Sequence, residues 1–174
     1  MYRTYGFRSI GLRYFNVFGP KQNPENPYAA VIPIFSKAIL NGDEINVFGD
    51  GKTSRDFTYV DDITESIFRL IPKPPLQNDF WDAKNPDPST SSAPYRILNI
   101  GNSKPISILK YVKILENKIG KDAIIDFEPM RQGDIKETHA SFEALNKLIN
   151  YKPQVEIEEG IGKFVDWYRQ YYYI

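Results

Sequence analysis

The sequence predicts an α/β fold on three observations: short β-branched and aromatic runs bounded by glycine and proline, longer segments with apolar residues at helical spacing, and alternation of the two along the chain. Residues 9–17 read SIGLRYFNV and end at Gly19-Pro20, which predicts a buried strand. The proline-, asparagine- and glycine-bearing stretch 19–27 is a loop, and it gives way to a helix over 28–40, where Val31, Ile34, Phe35 and Ala38 share one side and Pro33 sits in the first turn. Asn41-Gly42 closes that helix. A strand over 44–48 leads into the turn Gly49-Asp50-Gly51, and a second short strand covers 57–60. Asp61 or Asp62 can cap the next helix, whose Ile63, Ile67 and Leu70 face one way before Pro72 stops it. Residues 72–94 hold six of the thirteen prolines and the run Ser89-Thr90-Ser91-Ser92, so a long surface loop is expected rather than a domain boundary. A strand over 95–100 follows, then a helix capped by Ser107 with Leu109, Val112, Leu115 and Ile119 on one side, ended by Gly120. A strand over 123–127 and helices over 141–149 and 157–172 complete the chain, the last with an apolar stripe of Ile161, Phe164, Val165 and Tyr168.

At about 150 residues per domain, 174 residues allow one domain, or one and a remnant of another. A hydrophobic content of 41% against 25% charged residues fits a globular chain with a packed core. Twenty-two basic residues balance twenty-two acidic ones, so nothing in bulk charge favours nucleic acid or an anionic membrane surface, and any anion site must be local. No cysteine is present, which excludes disulfides and thiolate chemistry and fits a reducing compartment. No apolar run approaches the roughly 18 residues of a membrane span, and residues 1–13 lack the apolar core of a secretory signal. A cytoplasmic location is expected.

The usual catalytic constellations are missing. The one histidine, His139, lies between Thr138 and Ala140 with no acidic partner implied by spacing. Metal sites built on paired histidines or cysteines are excluded by count. Gly49 and Gly51 are followed by Ser54 rather than by a third glycine, so they form neither a dinucleotide fingerprint nor a P-loop.

Six further segments follow the decapeptide Gly11-Leu12-Arg13-Tyr14-Phe15-Asn16-Val17-Phe18-Gly19-Pro20 in a telling order: AAVIP at 29–33, INVFGDG at 45–51, SRDFTYVDD at 54–62, LNIGNSKPIS at 98–107, RQGDIKET at 131–138 and FVDWYRQYY at 164–172. Together they resemble the extended short-chain dehydrogenases/reductases, in particular the NAD-dependent nucleotide-sugar 4-epimerases. The family's glycine-rich fingerprint and Tyr-x-x-x-Lys pair have no counterpart here, since no tyrosine has a lysine four positions later. The resemblance therefore implies a C-terminal portion spanning 1–174: the last strands of a Rossmann-type parallel sheet, at 9–17 and 95–100, plus the smaller substrate-binding domain. The expected partner is an N-terminal half that holds NAD, and a homodimer is expected of the complete enzyme. Without that half the two strands would expose apolar faces and open edges.

By the same resemblance, Asn16 contacts the substrate diphosphate, although a turn asparagine fits it too. Arg55 and Arg131 clamp the diphosphate, a task suited to forked guanidinium groups; each also reads as a solvated charge. Asp134 accepts from the ribose, Val47 and Phe48 pack against the uracil, and the backbone at Ala30 and Val31 closes over the nucleotide. Phe15 flanks the nicotinamide. Phe15 and Phe48 fit simple core roles as well. No catalytic residue and no metal ligand is assigned to this chain, which is expected to be inactive alone. Residues 23–33 resemble epimerases of UDP-N-acetylhexosamines and their uronic acids, while the 72–94 loop and the tail resemble UDP-glucuronate 4-epimerases. A UDP-sugar-binding remnant without turnover, a structural piece that has lost binding, and part of a sugar-nucleotide dehydratase or decarboxylase are the alternatives.

Overall fold

The computed structural model describes residues 2–26, 30–130 and 132–174. A single turn, α1 (Tyr2–Tyr5), precedes β1 (Ser9–Tyr14). The strand expected to run to Val17 breaks at Asn16, whose φ of 36° takes the chain through a left-handed bend before β2 (Val17–Phe18). Asparagine tolerates that region because its short amide side chain can bond locally. Then come α2 (Val31–Asn41), β3 (Glu44–Phe48), β4 (Ser54–Arg55), β5 (Thr58–Tyr59) and α3 (Val60–Leu70). The proline-rich segment up to Pro94 has no regular structure, and Asn78, Asp82 and Asp87 fold it into successive side-chain-bonded turns. After it lie β6 (Tyr95–Ile100), β7 (Ile106–Ser107), α4 (Ile108–Ile119), β8 (Ile124–Glu128), α5 (Glu143–Ile149) and α6 (Ile157–Tyr172).

Strands β1 and β6 pair in parallel over their full length, with Leu12 opposite Leu98. Among the described residues they pair only with each other, so each keeps an outer edge. Strands β2 and β5, and β3 and β8, are also parallel pairs, while β4 and β7 are antiparallel. The smaller core joins Leu98 and Ile100 of β6 to Ile63 and Leu70 of α3 and to Leu145 and Ile149 of α5. The larger core packs α2, α4 and α6 around Phe18, Phe57 and Tyr111, with the Phe57 and Tyr111 rings stacked at 5.2 Å. The expected stripe of Ile161, Phe164, Val165 and Tyr168 is wholly buried there.

Helix ends follow the sequence signals in part. Ser107 accepts from the Lys110 N–H, and Gly42 and Gly120 take left-handed C-terminal positions with φ of 81° and 75°. Asp61 and Asp62 do not cap α3, whose N-cap is Tyr59; both lie in its first turn. Asp62, only 2% exposed, instead accepts from the Tyr151 hydroxyl (2.6 Å) and from the N–H groups of Gln154 and Val155, tying α3 to the segment before α6. No helix among the described residues is long and apolar enough to cross a membrane.

Burial raises the Tyr111 hydroxyl well above the ordinary tyrosine range, and burial followed by the Asp62 hydrogen bond raises Tyr151. Burial also lifts Tyr59 and Tyr168. A phenol whose pKa is raised by folding binds its proton more tightly in the native state, so its contribution holds below the unfolded value and is lost as pH climbs past about 10. Stability should therefore be flat with respect to these groups near neutrality and fall steeply above about pH 10. Tyrosinate absorbance from the four should appear together with loss of ellipticity; smooth ionisation in a still-folded chain would contradict it.

Candidate functional site

A cleft of about 490 Å³ opens between α2, β3 and the start of α4, a size suited to a nucleotide-like molecule. Asn16, Ala30, Val31, Val47, Phe48, Arg55 and Asp134 all line it. These are all of the expected substrate residues except Arg131, which lies outside the described residues. Positions from opposite ends of the chain are thus brought together around one space. Phe15 is not in this wall. It sits half-buried where β1 ends, its N–H bonded to the Ile100 carbonyl at 3.2 Å, at the carboxyl ends of the parallel pair where open α/β sheets bind ligands.

Each wall has a local cause. Helix α2 turns Val31, Ile34 and Ala38 toward the cleft and buries Phe35 beside it, so its apolar stripe serves the cleft as well as the core. Its N-cap, Ala30, makes no side-chain capping bond, and Pro33 lacks an N–H, which is harmless in a first turn. The partial positive charge of the helix N-terminus therefore faces the cleft, where an anion would be favoured. Strand β3 runs its whole length along the opposite wall. On its outward face the Asn46 amide donates to Glu128 of β8. Gly51, with φ of 69°, lets the turn after β3 close on α4, whose Ile108 and Leu109 N–H groups bond to the Thr53 and Gly51 carbonyls. A Cβ on Gly51 would lie 2.5 Å from the Leu109 side chain.

The polar end of the cleft carries opposite charges in contact. Arg55 Nη2 lies 3.3 Å from Asp134 Oδ1, with the arginine side chain 18% and the aspartate 33% exposed. Arg55 Nη1 donates to the Ser54 carbonyl at 2.9 Å, which aims the guanidinium, and the Ile135 N–H donates to Asp134. Asn16 gives both amide hydrogens to the protein, one to the Asp56 carbonyl and one to Thr138 Oγ1, each at 2.9 Å. Thr53, Phe57 and Ile108 also line the cleft and were not singled out from sequence. Their roles depend on pairing between distant segments, and no local signal marks them.

A parallel pair of strands, a cleft of about 490 Å³ and a charged pair at its end define an α/β chain with a candidate ligand site. Residues 1–80 match the NAD dependent epimerase/dehydratase family. Over 168 residues the chain is 43% identical to Protein CapI of Staphylococcus aureus, covering 97% of this chain and 49% of that protein. It superposes with a TM-score of 0.78 and 32% identity on the UDP-N-acetylglucosamine 4-epimerase of Methanobrevibacter ruminantium M1 in complex with UDP-N-acetylmuramic acid, covering 98% of this chain and 49% of that one. The UDP-glucuronic acid 4-epimerase of Bacillus cereus, in complex with UDP-glucuronic acid and NAD, gives 0.77 and 27%, with coverage of 98% and 48%. The chain therefore resembles the nucleotide-sugar epimerases in sequence and fold, and it spans about half the length of these relatives.

Proposed function

We propose that this chain is the UDP-sugar-binding portion of an NAD-dependent 4-epimerase acting on a UDP-N-acetylhexosamine or a UDP-uronic acid. One observation carries the reading: seven residues expected to bind the nucleotide sugar, scattered from position 16 to position 134, line a single cleft. The open outer edges of β1 and β6 support a portion of a larger sheet, because parallel sheets are otherwise extended and covered on both faces.

In this reading the α2 N-terminus and Arg55 hold the diphosphate, and Asp134 turns from Arg55 to accept from the ribose. Asn16 shifts one amide hydrogen from Thr138 to a diphosphate oxygen. Val47, Phe48 and Ile34 enclose the base. The chain contributes affinity and orientation, which hold the sugar at a fixed distance from the reacting groups and exclude water. NAD, when bound, would supply hydride acceptance and return at C4 of the sugar. Phe15, half-buried at the carboxyl end of β1, would flank the nicotinamide, and the dinucleotide's pyrophosphate cradle would belong to an N-terminal portion.

Calorimetric titration of the purified chain should detect UDP binding and no NAD binding. Incubation with NAD and either UDP-N-acetylglucosamine or UDP-glucuronate should give no epimer. Turnover by this chain alone, or absence of any UDP affinity in the folded chain, overturns the reading.

A further inference from the structure

We propose that Asp56 is a positioning residue for the diphosphate end of the cleft, an inference that rests on the UDP-binding reading above. Arg55 and Asp56 are adjacent on extended chain and point to opposite sides, Arg55 into the cleft and Asp56 into the interior, where it is fully buried. No lysine or arginine pairs with the carboxylate among the described residues. Its charge is met by backbone alone: Oδ1 accepts from the Asn102 N–H at 3.1 Å, and Oδ2 accepts from Ser103 at 3.0 Å and Ala140 at 2.9 Å.

Every remaining polar group of Asp56 also reaches the cleft's supports. Its N–H donates to Thr138 Oγ1 at 3.1 Å, and its carbonyl accepts from Asn16 Nδ2. One residue thus fixes three segments that are distant in sequence: the end of β1 with Asn16, the turn after β6, and the stretch 138–140 that continues from Asp134. The Ser103 hydroxyl donates to the Ala140 carbonyl, joining two of these segments directly, and Ser103 takes a left-handed φ of 55° to do so. A buried carboxylate held by N–H groups is strongly directional, since moving any one segment leaves a charge or a donor unsatisfied.

The electrostatic sign separates positioning from charge. A carboxylate behind a diphosphate site repels the ligand, so neutralising it would strengthen binding if long-range charge were its only influence. Positioning predicts the opposite. Asp56→Asn keeps the shape but faces three N–H donors with one amide oxygen and an NH2 group, so the segments must separate.

The test measures UDP and uridine affinities on the full chain for wild type, Asp56→Asn and Asp62→Asn. Asp62 serves as the control: it is equally buried, also accepts from three donors, and ties α3 to residues 151–155 away from the cleft. The ratio of UDP to uridine affinity cancels any loss of folded protein. Asp56→Asn should lower that ratio by about tenfold or more, and Asp62→Asn should leave it within about twofold while lowering the thermal midpoint. An unchanged or raised ratio in Asp56→Asn overturns the proposal. If Asp56→Asn does not fold, Thr138→Val carries the test, since it removes the shared acceptor of Asp56 and Asn16; a ratio within twofold of wild type then overturns it. Failure of the wild-type chain to bind UDP is a separate result and refutes the reading of the cleft itself.

Discussion

If the cleft holds UDP as proposed, Arg55→Ala should lower the affinity of the chain for UDP by at least about tenfold, because charge-assisted hydrogen bonds are worth roughly 1.5 to 3 kcal/mol and tenfold corresponds to about 1.4. Two effects act together. The diphosphate loses a forked cation, and Asp134, now 3.3 Å from nothing that balances it, presents an unpaired carboxylate to an anionic ligand. Arg55→Lys should recover only part of the loss. Lysine restores charge at the site without the planar pair of donors, so partial recovery separates bidentate gripping from general attraction. Asp134→Asn sharpens the test, since it frees the guanidinium and weakens only the ribose contact; uridine affinity should then fall more than the affinity contributed by the diphosphate. Titrations of UDP and uridine against all three variants decide it. If Arg55→Ala leaves UDP affinity intact and lowers thermal stability, the Arg55–Asp134 pair is structural. Arg131→Ala should act in the same direction on UDP.

Elements with a long, regular signal were legible in the chain. Strand β3 and the helices α2, α4 and α6 each carry a repeated apolar spacing, and Ser107, Gly42 and Gly120 mark ends with a stated backbone requirement. Strands β4 and β7 were not foreseen, because two residues are too few to display an alternation and their pairing joins positions about fifty residues apart. The break at Asn16 was hidden for a related reason: a run rich in β-branched and aromatic residues reads as one strand until the partner changes from β6 to β5. Asp62 illustrates a different limit. An aspartate before an apolar run suits a cap, and only the return of Tyr151, Gln154 and Val155 to the same spot reveals its use inside the helix.

The cleft was legible only through resemblance. Composition shows no charge excess, and no spacing links Asn16 to Asp134, yet both end up in one wall. The α2 stripe shows how far periodicity goes: it locates the apolar face of the helix and cannot say that Val31, Phe35 and Ala38 on that face serve a cleft as well as the core. The supports behind the site, Asp56 and Thr138, carry no signature at all, since a buried acceptor is defined by which backbone N–H groups arrive beside it.

Gly101→Ala should be among the most damaging single-methyl changes in the chain, and its effect should reach the cleft. A Cβ built on Gly101 would lie 2.3 Å from the Ala140 Cβ, 3.0 Å from Asp56 Oδ2 and 3.3 Å from the Phe15 Cβ. None of these contacts can be relieved by rotating a side chain. The alanine and phenylalanine atoms are fixed to their backbones, and the carboxylate oxygen is held by the Ser103 and Ala140 N–H groups. Either the end of β6 or the 138–140 segment must therefore retreat, which overpacking data put at about 1 to 3 kcal/mol or more. For a chain of this size each kcal/mol lowers the thermal midpoint by roughly 2 to 4 °C. Gly120→Ala is the matched control: its φ of 75° imposes backbone strain of about 1 kcal/mol, but a Cβ there meets nothing within 4 Å. Calorimetry should find Gly101→Ala clearly less stable than Gly120→Ala, and titration should find UDP affinity reduced only in the former, because the displaced segment carries the Thr138 and Asp56 contacts that hold Asn16. Equal stabilities in the two variants would mean that the turn after β6 yields easily, and the close approach of Gly101 to Ala140 would then have no energetic consequence.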